Sequence, residues 1–243
     1  MSNGEMVPHY RRIILKLSGE TLAGPEGCGI DPDQVAIIAE KIKAVHDLGV
    51  QVGLVIGAGN LWRGNRGVQR GMEQATADHM GMIATVMNGL ALQDGLERIG
   101  VPTRVQTAVM MNQVAEPYIR LRAIAHMEKG RVVIIAGGTG NPYFTTDTAA
   151  ALRGMEVNAE VIIKGTQVDG VYDADPKLNP NARRFERLSY SQAIEYRVRV
   201  MDLTAITLCM DNHLPLLVLN IWDDHSLIDA VLGRKVGTLI DGE

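Results

Sequence analysis

The chain has 243 residues, 46% hydrophobic and 21% charged, enough to bury a substantial core as one domain or two closely joined lobes, and it carries no disorder signature. Its formal net charge of -4 argues against nucleic acid or an anionic membrane surface as main partner. Its longest apolar runs, such as Val132 to Ala136 and Leu214 to Leu219, fall far short of the ~20 residues of a membrane helix.

The opening MSNGEMVPHYRR lacks an apolar signal core and reads as a short lead-in, which predicts a cytoplasmic location. A strand at Ile13 to Leu17 precedes a helix, Gln34 to Leu48, with Asp31 as N-cap, Pro32 at the first helical position and Gly49 closing the end. A strand at Val50 to Ile56, a helix at Ala75 to Ile99 and a strand at Thr103 to Thr107 follow. After the strand Val132 to Ala136 come a helix from about Thr146 to Met155 and a strand at Glu160 to Ile163. Gly165 to Arg184 is dense in turn signals and reads as a long loop or twisted hairpin over the sheet. A capping box at Ser189 to Gln192, a helix at Asp202 to Asn212, a strand at Leu216 to Leu219, a helix near Ser226 to Leu232 and a strand at Gly237 to Ile240 complete the order. This alternation predicts an α/β fold with a mainly parallel central sheet and helices on both faces. Cys28 and Cys209 lack metal-ligand spacing and read as reduced thiols, so no protein-bound metal is expected.

The chemistry concentrates at strand ends. Gly137-Gly138-Thr139-Gly140-Asn141-Pro142-Tyr143-Phe144-Thr145-Thr146-Asp147 joins an apolar strand to an Ala-rich helix, an arrangement that binds anions on backbone N–H groups and at a helix start. Lys16-Leu17-Ser18-Gly19-Glu20 ends the first strand, Gly57-Ala58-Gly59-Asn60-Leu61-Trp62-Arg63-Gly64 the second, and Lys164-Gly165-Thr166 follows another. Neither of the first two is a Walker A or GxGxxG sequence. Cations and glycine turns at several strand ends suit phosphoryl transfer, where the protein's work is positioning and charge stabilisation.

The motifs KLSGE at Lys16, VIGAGNLWRG at Val55, ADHMGMIATVMNGLAL at Ala77, GGTGNPYFTTD at Gly137, KGTQVDGVYDADP at Lys164 and VMDLTA at Val200 fall in one order over almost the whole chain. In them the sequence resembles the bacterial UMP (uridylate) kinases of the amino-acid-kinase superfamily. The resemblance implies a three-layer αβα sandwich forming a single domain, with an acceptor lobe at about 10–160 and an ATP lobe at about 161–243. It implies transfer of phosphoryl from ATP to UMP, with Mg2+ carried on the ATP, GTP as activator, UTP as inhibitor and a homo-oligomer, a hexamer.

By the same resemblance Lys16, Lys164, Asp147 and Asp202 belong to the catalytic group, Asp147 organising the two lysines. Lys16, Leu17, Ser18, Gly19, Thr166, Tyr172 and Asp175 are ATP contacts, with Gly59 and Arg63 placed beside them as phosphate contacts. UMP falls to Ala58, Asp78, Thr139, Gly140, Asn141, Pro142, Tyr143, Phe144, Thr145 and Thr146, with Asp78 on the ribose hydroxyls. Gly24, Pro25, Glu26, Gly27, Cys28 and Gly29 match the GTP-activator stretch. Without the family, Asp78 and Asp202 read as helix caps and Asp147 as an N-cap or early-turn residue. The pattern expected in the second loop is Gly-Gly-Gly-Asn; Ala58 departs from it, at a cost of around 1 kcal/mol if its φ is positive. Two other readings stand beside this one: a kinase of a carboxylate or carbamate on the same fold, and a nucleotide sensor without turnover.

Overall fold

Strand β1, Arg12–Leu17, is apolar almost throughout because it runs through the middle of a sheet covered on both faces. The computed structural model describes residues 7–242 apart from Asp175, Lys177, Pro180, Arg197 and Arg199. Asp175, expected among the ATP contacts, therefore lies outside the described residues.

After β1 the chain makes a short 3-10 turn, Gly19–Leu22, and enters α1, Pro32–His46. The Asp31 carboxylate caps α1, accepting from the backbone N–H groups of Asp33 and Gln34 at 2.8 and 3.2 Å. Then come β2, Gln51–Ile56; α2, Gly64–Val68; α3, Gln74–Arg98; β3, Thr103–Thr107; β4, Glu116–Pro117; and α4, Arg120–Glu128. The second half holds β5, Val132–Ala136; α5, Thr146–Glu156; β6, Val161–Thr166; β7, Arg187–Leu188; α6, Tyr190–Glu195; and α7, Leu203–Asp211. It closes with β8, Leu216–Asn220; α8, Ser226–Val231; and β9, Thr238–Ile240.

Among the described residues the strands form one sheet in the order β4-β3-β5-β2-β1-β6-β8-β9-β7. It is parallel from β4 to β8; β9 runs antiparallel to β8, and β7 pairs parallel with β9. The carboxyl ends of β1, β2, β5 and β6 thus share one edge, with the chain order reversing on either side of β1, where open α/β sheets bind ligands.

Strand alternation then selects the faces. Ile13, Leu15 and Leu17 join one core with Ile38, Leu92 and Leu227, while Ile14 joins the other with Ala149, Ala150 and Ile162. Lys16 shares the parity of Ile14, and Lys164 that of Ile162, so both lysines face α5. They are also cross-strand partners in the β1–β6 register. Each fully buried Ile or Leu in these layers contributes roughly 1.5–3 kcal/mol, which fixes the register and with it the lysines.

Two expectations change. β6 does not stop at Ile163 but continues through Lys164 to Thr166, so the lysine is a strand residue with a fixed direction. α3 begins at Gln74 with Glu73 as its N-cap, so Asp78 lies inside the helix and is not a cap. Among the described residues of the stretch after β6, Tyr172 and Arg184 form an isolated antiparallel bridge.

Candidate active site

Three ionised side chains meet at the sheet edge. Lys16 Nζ lies 2.5 Å from Asp147 Oδ1, and Lys164 Nζ lies 2.8 Å from Asp147 Oδ2. Their side chains are only 9%, 15% and 14% exposed for Lys16, Asp147 and Lys164, so water screens the trio weakly. Burial opposes the charge on Asp147, but the two ammoniums outweigh it and hold its carboxyl below the usual range. Burial lowers the pKa of Lys164, as does the like charge of Lys16, against the pull of Asp147 and Asp202. Two ammoniums against one carboxylate leave the trio with a net positive charge, suited to an anion.

Helix α5 supplies Asp147. Thr145 is its N-cap, its hydroxyl accepting from the N–H groups of Asp147 and Thr148 at 3.1 and 3.4 Å. Asp202 caps α7, accepting from the Ala205 N–H at 2.8 Å, and also accepts from the Thr145 and Thr148 hydroxyls, so it ties the starts of α5 and α7 together. Lys164 also donates to the carbonyl of Val200, two residues before Asp202.

The first two glycine loops interlock. A Cβ on Gly19 would fall 2.4 Å from Asn60 Oδ1 and 2.7 Å from the Gly57 carbonyl oxygen, so no larger residue fits there. Buried Asn88 donates to the Gly57 carbonyl at 2.8 Å and exchanges amide hydrogen bonds with Asn60, which donates to Gly29. Ala58 does not join the non-glycine residues with positive φ, which among the described residues are Tyr143, Asn158 and His213. Its methyl group therefore carries no left-handed strain, and its carbonyl closes the turn by accepting from Leu61 and Trp62.

A cavity of about 620 Å³ opens beside these loops, lined by Ala58, Gly59, Arg63, Asp78, Thr139, Phe144, Thr145 and Thr146 among others. Asp78 accepts from the Tyr143 N–H and from Gln74 Nε2, both at 2.8 Å, and so holds the Gly137 loop down. Arg63 pairs with Glu20 on the same rim. Gly59 and Arg63 thus border this cavity and not the one beside Tyr172. Gly140 turns the loop through its N–H to the Gly137 carbonyl, while Asn141, Pro142 and the 75%-exposed Tyr143 lie outside the lining.

A second cavity, about 850 Å³, is lined by Val168, Val171, Tyr172, Phe185, Tyr196, Val198 and Val200 among others. The Phe185 and Tyr196 rings stack at 5.9 Å. Tyr172 borders it with its hydroxyl donated to Asp169 at 2.6 Å. Thr166 spends its hydroxyl on Val168, Ser18 caps the 3-10 turn, and the Leu17 side chain is buried in the core. Gly24, Pro25, Glu26 and Gly27 lead past Cys28 to Gly29, whose N–H reaches the Asn60 carbonyl.

Sequence reading missed Glu20, Asn88, Phe185, Tyr196 and the Val200 carbonyl. Asn88 carries a signal in retrospect, an amide inside a Met- and Leu-rich helix; the Val200 carbonyl carries none. No group of three or more His, Cys, Asp or Glu that could hold a metal ion occurs among the described residues. No helix among them is long and apolar enough to cross a membrane.

The sequence model of the amino acid kinase family matches residues 11–220. A UMP kinase from Bacillus anthracis is similar to this chain at 38% identity and a TM-score of 0.93, with 96% of each chain covered. A UMP kinase from Ureaplasma parvum is similar at 37% identity and 0.90, covering 96% of this chain and 99% of that one. A uridylate kinase from Archaeoglobus fulgidus is similar at 29% and 0.72, covering 94% and 99%. With the family match spanning most of the sequence and these folds superposing over nearly all of it, the chain belongs to the amino acid kinase family, on the branch of the UMP kinases.

Proposed function

We propose that the protein transfers the γ-phosphoryl group of ATP to UMP, giving ADP and UDP, in pyrimidine nucleotide synthesis. The observation that carries this reading is the Lys16–Asp147–Lys164 bridge, whose immediate neighbours line two separate cavities. Thr145 and Thr146, next to Asp147, line one cavity; Val200, the partner of Lys164, lines the other. The first is lined by residues between 20 and 146 and the second by residues between 168 and 200, which supports an acceptor lobe at about 10–160 and an ATP lobe at about 161–243.

UMP occupies the first cavity, its ribose hydroxyls on Asp78, its phosphate near Arg63 and the α5 start, and its uracil read by backbone groups of the 139–146 loop. ATP lies along the second, its base against the apolar walls around Tyr172 and its phosphates reaching Gly19 and the two lysines. A phosphate oxygen of UMP attacks the γ-phosphorus as the bond to the bridging oxygen of ADP breaks. That oxygen is already ionised at neutral pH, so no general base is needed. Lys16 and Lys164 hold the charge spread over the travelling group, and Asp147 keeps both ammoniums aimed while offsetting their repulsion. Asp202 belongs to the same group through its hold on Thr145 and Thr148.

Mg2+ enters with ATP, where it neutralises phosphate charge. Both Asp147 oxygens are already engaged by ammonium groups, so this carboxylate does not offer a free ligand for it. GTP activation through Gly24 to Gly29 finds a route in the bonds from Gly29 to Asn60, and UTP inhibition fits a uracil-reading site. A homo-oligomer, a hexamer, fits the stripe of Met80, Ile83 and Met87, 38%, 47% and 50% exposed at helical spacing along α3. A cytoplasmic location, where thiols such as Cys28 and Cys209 stay reduced, belongs to the same reading.

ADP release measured over a panel of UMP, CMP, acetylglutamate and carbamate tests the acceptor. UMP is expected to be turned over far better than CMP, because fixed backbone groups that fit a 4-oxo pyrimidine are left mismatched by a 4-amino one. Equal turnover of the two, or preference for a carboxylate or carbamate, overturns the assignment.

A further inference from the structure

Arg153, on the second turn of α5, is buried with no role in the bridge, and its partners converge on the back of the 137–146 loop. Its Nη2 donates to the Gly138 and Thr139 carbonyls at 3.3 and 3.4 Å. Its Nη1 donates to Glu156 at 2.7 Å, and the guanidinium lies 4.2 Å over the Tyr118 ring. The Tyr118 hydroxyl donates to the same Glu156 carboxylate at 2.7 Å, closing a ring of contacts that aims the guanidinium.

We propose that Arg153 is a positioning residue for the acceptor, setting the peptide planes of Gly138 and Thr139 so that the loop presents its backbone donors to the cavity. A trans peptide points its C=O and N–H in opposite directions. With the Gly138 carbonyl turned back to Arg153, the Thr139 N–H turns away from it; with the Thr139 carbonyl turned back, the Gly140 N–H closes the turn on the Gly137 carbonyl. Gly137, Gly138 and Gly140 are left-handed, at φ 77, 60 and 83°, where glycine is unstrained but also unrestricted, and Tyr143 is left-handed at 72°, so outside contacts fix which way these peptides face. Thr85 holds the Gly137 N–H at 2.8 Å and Asp78 holds that of Tyr143; between them the loop braces itself through the Gly140 N–H on the Gly137 carbonyl and the Asn141 N–H on the Thr139 hydroxyl, and Arg153 anchors the Gly138 and Thr139 carbonyls from outside the loop. A planar fork reaches two successive carbonyls while keeping a second arm on Glu156; the single ammonium of lysine does not.

The inference rests on the cavity being the UMP site, and the test separates the two. Arg153→Lys and Arg153→Met are expected to raise the KM for UMP at least fivefold while the KM for ATP stays within twofold. Hydrogen exchange of the 137–145 segment, read without substrate, should quicken at least fivefold in Arg153→Lys while β1 and β5 keep their protection. Should Arg153→Met fail to fold, Glu156→Gln must move the UMP KM in the same direction by weakening the carboxylate that aims the arginine. Failure of the wild type to use UMP refutes the acceptor assignment, and the exchange result still decides the role of Arg153. Unchanged exchange in the loop, or equal rises in both KM values, overturns the inference.

Discussion

Replacing Lys164 or Lys16 with alanine is expected to lower turnover roughly 10²–10³-fold, about 3–4 kcal/mol of transition-state stabilisation, with the fold retained. Each ammonium touches Asp147 in a site that is 9–15% exposed, so its charge acts on the travelling phosphoryl with little screening. The fold survives because removing one lysine leaves Asp147 neutralised by the other. Asp147→Ala is the damaging variant, leaving two ammoniums facing each other across the β1–β6 register. Steady-state turnover at saturating substrates beside thermal melts checks both halves, and near-normal turnover in both lysine variants refutes the roles.

The wild type adds a pH test. The Lys164 pKa lies below its ordinary 10.5, so the ammonium is lost, and turnover falls, before free lysine would titrate. Over the same interval the unfolded chain binds more protons than the folded one, so this group makes stability rise with pH while activity declines.

Asp78→Asn is expected to raise the UMP requirement by roughly 10- to 150-fold, the loss of a charge-assisted hydrogen bond worth about 1.5–3 kcal/mol, with the ATP requirement nearly unchanged. Because Asp78 is the fifth residue of α3 and not its cap, the substitution leaves the helix start intact. The amide keeps one oxygen to accept from Tyr143 or Gln74 but turns a donor toward the other, so the melting temperature drops slightly at most. A large stability loss with unchanged UMP affinity assigns Asp78 to the scaffold and removes the ribose contact.

The longer strands are legible in chain order because β1, β2, β5 and β6 are buried on both faces and written as apolar runs, and helix starts such as Asp31 and Ser189 because they carry side-chain caps; the sheet order is not legible. The bridge was legible as three residue types at strand and helix ends, yet its geometry depends on parity: Lys164 points at Asp147 only because β6 continues past Ile163. β4 and β7, two residues each, leave no periodic trace, and the helix Arg120–Glu128 lies where the sequence raises no expectation of an element. Partners brought in by tertiary packing, such as the Val200 carbonyl on Lys164 and the Arg153 fork on Gly138, have no local signature, since a backbone carbonyl looks alike in every residue.

Phosphorus NMR of the protein mixed with Mg-ATP and UMP follows the transferred group itself and so decides between transfer to UMP and hydrolysis. The β-phosphorus resonances of UDP and ADP are expected to grow together as the γ-resonance of ATP decays, and to grow roughly 10²–10³-fold more slowly in Lys16→Ala or Lys164→Ala. Inorganic phosphate appearing in place of UDP, or UDP forming as fast in both single lysine variants as in the wild type, refutes transfer at the Lys16–Asp147–Lys164 bridge.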